Sequence, residues 1–258
     1  MSDIASGLRL AVGTLSVVPV GAIADPTESH ARWAMCLAPL AALPVAAVAA
    51  SVLAVGDLAA LPALVTGAMA VAAIAAGTRA MHLDGLADTV DGIGGGWTRE
   101  RALEIMRRGD VGPMGVAAVV LAVLVQVAAI GALASRPFAW LLVGAAVVAS
   151  RASLLLTCRA GMPSARPSGL GAVVAGSVPK PVALAGGVLL AVVMAASSAA
   201  AGLGPTAGVA SAIVAVATVG LLLRTCRRVF GGVTGDIMGA SIEVALGTML
   251  LVLSSGRW

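Results

Sequence analysis

Charge and aromatic rings are what this chain has least of. Of its 258 residues, 11% are charged and 2% aromatic; tyrosine is absent, and Phe138 and Phe230 are the only phenylalanines. Soluble domains carry about 25% charged residues, so a soluble globular enzyme is excluded. With no interleaving of basic and aromatic residues, nothing points to nucleic acid as a partner. Cysteine is nearly absent too. Cys36, Cys158 and Cys226 are odd in number, scattered and without metal-ligand spacing, which excludes a disulfide scaffold and reads as three small apolar fillers. What fills the chain is apolar: 60% of residues before its 32 glycines are counted, at a mean hydropathy of +1.05. The expected class is all-α and polytopic, because a backbone exposed to lipid must satisfy its own hydrogen bonds.

Seven segments are expected to span the membrane: 34–55, 61–78, 114–135, 138–157, 182–201, 206–223 and a shorter one at 237–253 that carries Glu243. At 1.5 Å per residue, the first six are each long enough to cross about 30 Å of hydrocarbon. Placing the N-terminus inside puts every basic residue but Arg136 and Arg257 on the cytoplasmic side, a strong positive-inside pattern. The expected organisation is therefore one membrane-embedded catalytic domain over 1–258, with its chemistry on inner loops at 79–113, 158–181 and 224–238. Residues 1–33 read as an N-terminal interfacial segment, an amphipathic or half-inserted helix. The competing reading is a signal peptide ending near Ala22-Ile23-Ala24, against which Asp3, a lone Arg9 and Pro19 all argue.

The informative stretch is His82-Leu-Asp84-Gly-Leu-Ala-Asp88-Thr-Val-Asp91-Gly-Ile-Gly94-Gly95-Gly96. Asp84, Asp88 and Asp91 stand at i, i+4 and i+7, within an arc of about 60° on a helix. Like charges on one face repel, so the cluster calls for a counter-charge. A hard divalent cation supplies one, shared among carboxylates, water and substrate phosphate; the bland alternative is a solvated acidic face paired with arginines. Five of the twelve acidic residues lie between Asp84 and Glu104, and the triad runs into glycines, which favours the metal. Gly92, Gly94, Gly95 and Gly96 are expected to form a turn whose N–H groups receive phosphate. Thr98 caps a short helix that bears Arg99, Arg101, Arg107 and Arg108, donors for phosphate oxygens. His82 is either a base or a hydrogen-bonded interfacial histidine. Arg166, between glycines and prolines, and the run Gly231-Gly232-Val-Thr234-Gly235-Asp236 add a second and third working loop. Arg151 and Glu243 lie just inside spans, where an ionisable group needs a partner.

The run from His82 to Met106 resembles the signature of the cobalamin synthase family, the adenosylcobinamide-GDP ribazoletransferases. Gly13-Thr14 through Pro19, Ala165-Arg166-Pro-Ser-Gly-Leu-Gly171 and Gly232-Val-Thr-Gly-Asp236-Ile-Met-Gly239 agree in order. Two departures stand out. The family's usual Asp-Ser after Met106 falls here on Arg108 and Gly109, which leaves Asp110 without a matching role, and a Gly often seen after Pro39 is missing. The resemblance implies transfer of adenosylcobinamide phosphate from adenosylcobinamide-GDP to α-ribazole, or its 5′-phosphate, with release of GMP. It implies Mg²⁺ on Asp84, Asp88 and Asp91, with Asp88 or Asp91 also able to accept the hydroxyl proton. Substrate contacts fall to His82, Gly94, Gly95, Arg99, Arg101, Glu104, Arg166, Thr234 and Asp236. The implied setting is the cell inner membrane, among lipid, with room for a homo-oligomer and for association with other enzymes of corrinoid assembly. A CDP-alcohol phosphotransferase also opens its carboxylate cluster with Asp-Gly, but places Ala-Arg where this chain has Ala87-Asp88. A cation-coupled transporter would put ionisable groups near the bilayer midplane, whereas five of the spans here have none.

Overall fold

The computed structural model describes residues 2–21 and 26–255; Ala22-Ile23-Ala24 and Arg257 lie outside the described residues. The described residues are helical throughout, with only two isolated bridges, Arg159 to Val178 and Ser164 to Val233. At the start, α1 (Asp3–Leu15) is capped by Ser2 and packs Gly7, Ala11 and Leu15 against α2 (Glu28–Cys36) and α3 (Ala38–Ala41). Gly7 is required there: a side chain would strike Trp33. Arg9 donates to the Val20 carbonyl at 2.7 Å, folding residues 16–20 back along the helix.

The first expected span is broken. Pro39 and Pro44 each fall in a helix's first turn, so 34–55 becomes the end of α2, then α3, then α4 (Leu43–Leu58). Proline lacks an N–H and is tolerated only where no helical bond is lost, which places the breaks at these two positions. Next, α5 (Ala63–Gly77) ends at Thr78, whose hydroxyl donates back to the Ile74 carbonyl at 3.0 Å. Arg79 and Ala80 then both adopt left-handed backbone, with φ of 54° each. That conformation costs non-glycine residues about 1–2 kcal/mol, and it turns the chain by 88° into α6 (Met81–Gly95). The acidic stretch is thus a helix packed into the bundle. Three residues past its end, Thr98 caps α7 (Arg99–Ile105).

The remaining helices follow the expected spans, except that the sixth runs on to Phe230 through the first half of the loop expected at 224–238, and a short helix forms within the loop expected at 158–181. They are α8 (Pro113–Leu133), α9 (Ala139–Ser150) continuing into α10 (Ser153–Thr157), short α11 (Leu170–Val174), α12 (Lys180–Ala200), α13 (Pro205–Phe230) and α14 (Gly235–Ser254). Among the described residues, five helical segments are long and apolar enough to cross a membrane: α8, α9 with α10, α12, α13 and α14. The bent pair α5–α6 would add a sixth, and α4 is a shorter apolar helix. The shorter expected segment 237–253 forms α14, one of these five and mostly buried in the bundle, so the described residues offer five or six candidate spans where the sequence suggested seven.

Small residues let these helices touch backbone to backbone. Gly67 of α5 lies on the Val127 carbonyl of α8, Gly85 of α6 on Asp236 of α14, and Gly208 of α13 on Met194 of α12. The close approach at Gly85 matters most, because it sets the carboxylate-bearing helix α6 directly beside the start of α14.

Candidate active site

The N-termini of α8 and α14, the C-terminus of α13, helix α7 and the loop before α11 all meet at one end of the bundle. Arg99 ties them together. Its Nε donates to the Phe230 carbonyl at 2.8 Å and its Nη2 to the Ala165 carbonyl at 3.1 Å. Gly231, in left-handed backbone with φ of 77°, leaves room for that guanidinium. Arg166 donates to the Leu103 carbonyl at 3.3 Å. Arg99 is thus committed to holding loops together, a role the phosphate reading of the sequence did not anticipate.

Asp84, Asp88 and Asp91 occupy one face of α6, as their spacing predicts, but not in one environment. Asp84 is exposed, Asp88 half-buried and Asp91 buried. Both oxygens of Asp91 are engaged: Oδ2 accepts the Gly112 N–H at 2.7 Å and Oδ1 the Gly115 N–H at 2.8 Å. A carboxylate at the positive end of α8 is stabilised there by charge-assisted bonds and by the helix dipole. Gly112 and Gly115 are glycines because a Cβ at either would strike the Asp91 carboxylate. Asp91 therefore docks α6 onto α8.

The third carboxylate beside Asp84 and Asp88 comes instead from Asp236, at the start of α14. Asp236, Asp84 and Asp91 all act on Asp88 with like charge, and Arg166 opposes them. Arg166 stands with its Nη1 3.8 Å from Asp236 Oδ2, and the Thr234 hydroxyl, which caps α14, donates to that same oxygen at 3.2 Å. Thr234 and Asp236, which the sequence reading assigned to a separate substrate loop, thus stand beside the acidic face from a point more than 140 residues away. Among the described residues no three His, Cys, Asp or Glu side chains are arranged as a ready-made metal cage.

The glycines depart from expectation. Gly92, Gly94 and Gly95 are helical and Gly96 ends α6, none of them with positive φ, so no anion-binding turn forms. Each instead admits a neighbour where a Cβ would collide: Gly92 admits Met106 and Phe230, Gly94 admits Met114, Gly95 admits Ile105 and Gly96 admits Ala102. A helix tolerates glycine at a cost of about 1 kcal/mol, offset here by close packing of α7, α8 and α13. Arg101 on the open face of α7 and Arg108 just past its end both bind Glu104, at 2.9 and 2.8 Å. Their hydrogen bonds, Arg108's first, hold the Glu104 carboxyl below the usual range.

Behind the acidic edge lies a polar network legible only in part. Arg151, fully buried, donates to the Val147 carbonyl at 3.0 Å and the Ser150 hydroxyl at 2.9 Å, and its Nη2 lies 3.4 Å from His82 Nδ1. A guanidinium only donates, so Nδ1 accepts and the His82 proton resides on Nε2, which is buried with no partner among the described residues. Glu243 accepts from Gln126 at 2.7 Å and feels the Arg151 charge. Sequence reasoning flagged Arg151 and Glu243 and missed Gln126, the one amide in an otherwise apolar α8.

The chain matches known proteins along nearly its whole length. The family profile described as cobalamin-5-phosphate synthase (CobS) matches residues 7–254. A Nocardioides protein named adenosylcobinamide-GDP ribazoletransferase is 46% identical over 243 residues, covering 94% of this chain and 96% of its own length. Relatives of the same name from Frankia casuarinae and Bradyrhizobium diazoefficiens are 38% and 35% identical; alignments cover 95% and 98% of this chain and 93% and 95% of theirs. No solved structure matches. A profile that spans both ends of the acidic edge, with relatives matched along their whole lengths, settles the kinship: the chain belongs to the cobalamin-5-phosphate synthase family.

Proposed function

We propose that the Asp84–Asp88–Asp236 edge carries the family's reaction in this chain: transfer of adenosylcobinamide phosphate from adenosylcobinamide-GDP to α-ribazole or its 5′-phosphate. A secondary ribose hydroxyl of the ribazole, since the 5′ position carries phosphate in one of the two acceptors, attacks the phosphorus on the cobinamide side of the diphosphate and gives up its proton; the bond from that phosphorus to the bridging oxygen breaks, and GMP leaves with that oxygen. The reading rests on one observation above all, the convergence of Asp236 from α14 on Asp84 and Asp88 of α6 with a single guanidinium opposite.

Hard carboxylate oxygens with so little opposing charge fit Mg²⁺, which is commonly held by one or two carboxylates, with water and substrate phosphate completing the shell. Asp84 and Asp88 would hold it, and when bound it supplies neutralisation of the diphosphate and of the departing phosphate. Arg166, half-buried beside Asp236, is placed to receive a phosphate oxygen. Asp88, half-buried first and then faced by like charges, is the carboxylate best suited to accept the hydroxyl proton. Asp91 keeps α6 seated on α8. The positive-inside charge pattern supports an inner-membrane location with this end facing the cytoplasm.

The test is direct. Purified protein in vesicles with Mg²⁺, adenosylcobinamide-GDP and α-ribazole is expected to form cobamide and GMP, and to stop on chelation. No product from either ribazole form overturns the reading.

A further inference from the structure

Helices α12 and α13 are pinned at one end and open at the other. At the pinned end, Gly208 lies against the Met194 backbone, and the Ser198 hydroxyl donates to the Gly204 carbonyl at 2.7 Å while accepting the Gly208 N–H at 3.1 Å. Two turns of α12 toward the opposite end, a side chain at Gly187 would meet nothing within contact distance. A cavity of about 420 Å³ opens there, walled by Ala183, Gly187, Ala212 and Val216. It shares those four residues and Leu156 with a smaller, enclosed apolar cavity of about 60 Å³ that runs inward toward α14. Arg159, following α10, and Lys180, opening α12, line the same cavity. Neither is in an ion pair among the described residues. Arg159 also begins the loop that carries Arg166, so the charged rim lies at the catalytic end of the bundle.

We propose that this crevice is a binding site for one anionic glycerophospholipid from the leaflet on the catalytic side. Its headgroup phosphate sits on Arg159 and Lys180, and an acyl chain lies between α12 and α13. The charges and the shape argue together. Basic pockets between membrane helices are established headgroup sites, and each cation near a membrane surface contributes about 1 kcal/mol toward an anionic lipid. The small wall residues remove the side chains that would otherwise fill the gap. A zwitterionic lipid gains the chain contact without the net charge, which makes the site selective. The site is independent of the reaction chemistry and stands if the proposed reaction fails.

The experiment reconstitutes the full chain in phosphatidylcholine nanodiscs with a minority of phosphatidylglycerol, then counts retained lipid by native mass spectrometry. The wild type is expected to retain one phosphatidylglycerol. Arg159→Gln and Lys180→Gln are each expected to weaken retention about 5-fold, the equivalent of about 1 kcal/mol. Gly187→Leu, with both charges intact, is expected to abolish it by filling the crevice. Arg136→Gln, between α8 and α9 and away from the crevice, is expected to change nothing. Lys180 is exposed, so Lys180→Gln keeps the test valid should another variant fail to fold. The proposal is overturned if the charge variants retain phosphatidylglycerol as the wild type does, or if Gly187→Leu still binds it. It is equally overturned if Arg136→Gln matches the others, which reports bulk surface charge. Displacement by free glycerol phosphate would mean a headgroup site without the chain, and also overturns it.

Discussion

Seven residues separate Asp236 from Glu243 on α14 and two separate His82 from Asp84 on α6, yet the two pairs live under opposite rules. At the outer pair, three carboxylates face one half-buried arginine, and negative charge goes unbalanced. At the inner pair, Glu243 has Gln126 and the field of Arg151, and Arg151 has two local acceptors and the His82 ring. Unpaired charge buried in a bilayer is expensive, so the inner group is nearly self-sufficient. The outer group has no such balance, which is what the proposed cation and phosphate would supply. Helices α6 and α14 thus each carry a residue of a buried polar core and, about half a turn along α6 and two turns along α14, a residue of the acidic edge.

Breaking the outer edge is expected to have the largest effect. On the proposed reading Asp84→Asn and Asp88→Asn each remove a carboxylate that would hold the metal, and turnover is expected to fall about 10²-fold or more, read as GMP release at saturating Mg²⁺. Melting temperature is expected to hold or rise, since a repulsion is relieved. Breaking the inner group does the reverse. Arg151→Met strands the Glu243 charge and is expected to cost about 3–5 kcal/mol of stability, read by thermal unfolding in detergent. Adding Glu243→Gln is expected to restore part of that loss, and no recovery would mean the two charges are uncoupled.

Asp91 lies between the two regimes and sharpens the contrast. Asp91→Asn weakens two charge-assisted bonds to the first turn of α8 and is expected to cost about 1.5–3 kcal/mol. Its half-saturation by Mg²⁺ is expected to stay at the wild-type value, whereas that of Asp88→Asn moves. The smallest effect is expected on the open face of α7. Glu104→Gln breaks two exposed ion pairs, which solvent screens, and should barely move the melting curve.

Much of this was legible in the chain. Long apolar runs announce α8, α12, α13 and α14, because a span must be continuous to satisfy its backbone in lipid. The region 34–113 was read less well, for reasons that are local. Pro39 and Pro44 divide an apolar run that hydropathy treats as one. The left-handed pair Arg79–Ala80 carries no glycine to announce its turn. The glycines after Asp91 suggested a loop, while in the bundle they serve as contact points for Met106, Met114 and Phe230. Spacing placed Asp84, Asp88 and Asp91 on one face correctly, but which acid meets which helix end is a tertiary fact. Only the packing of Gly85 on Asp236 reveals that α14 supplies the third carboxylate.

Manganese substitution followed by electron paramagnetic resonance tests the central claim most directly, with GDP as the diphosphate ligand. Bound Mn²⁺ is expected in the wild type and in Asp91→Asn, and lost in Asp84→Asn and Asp88→Asn. Retention in those two variants together with loss in Asp91→Asn would contradict the account.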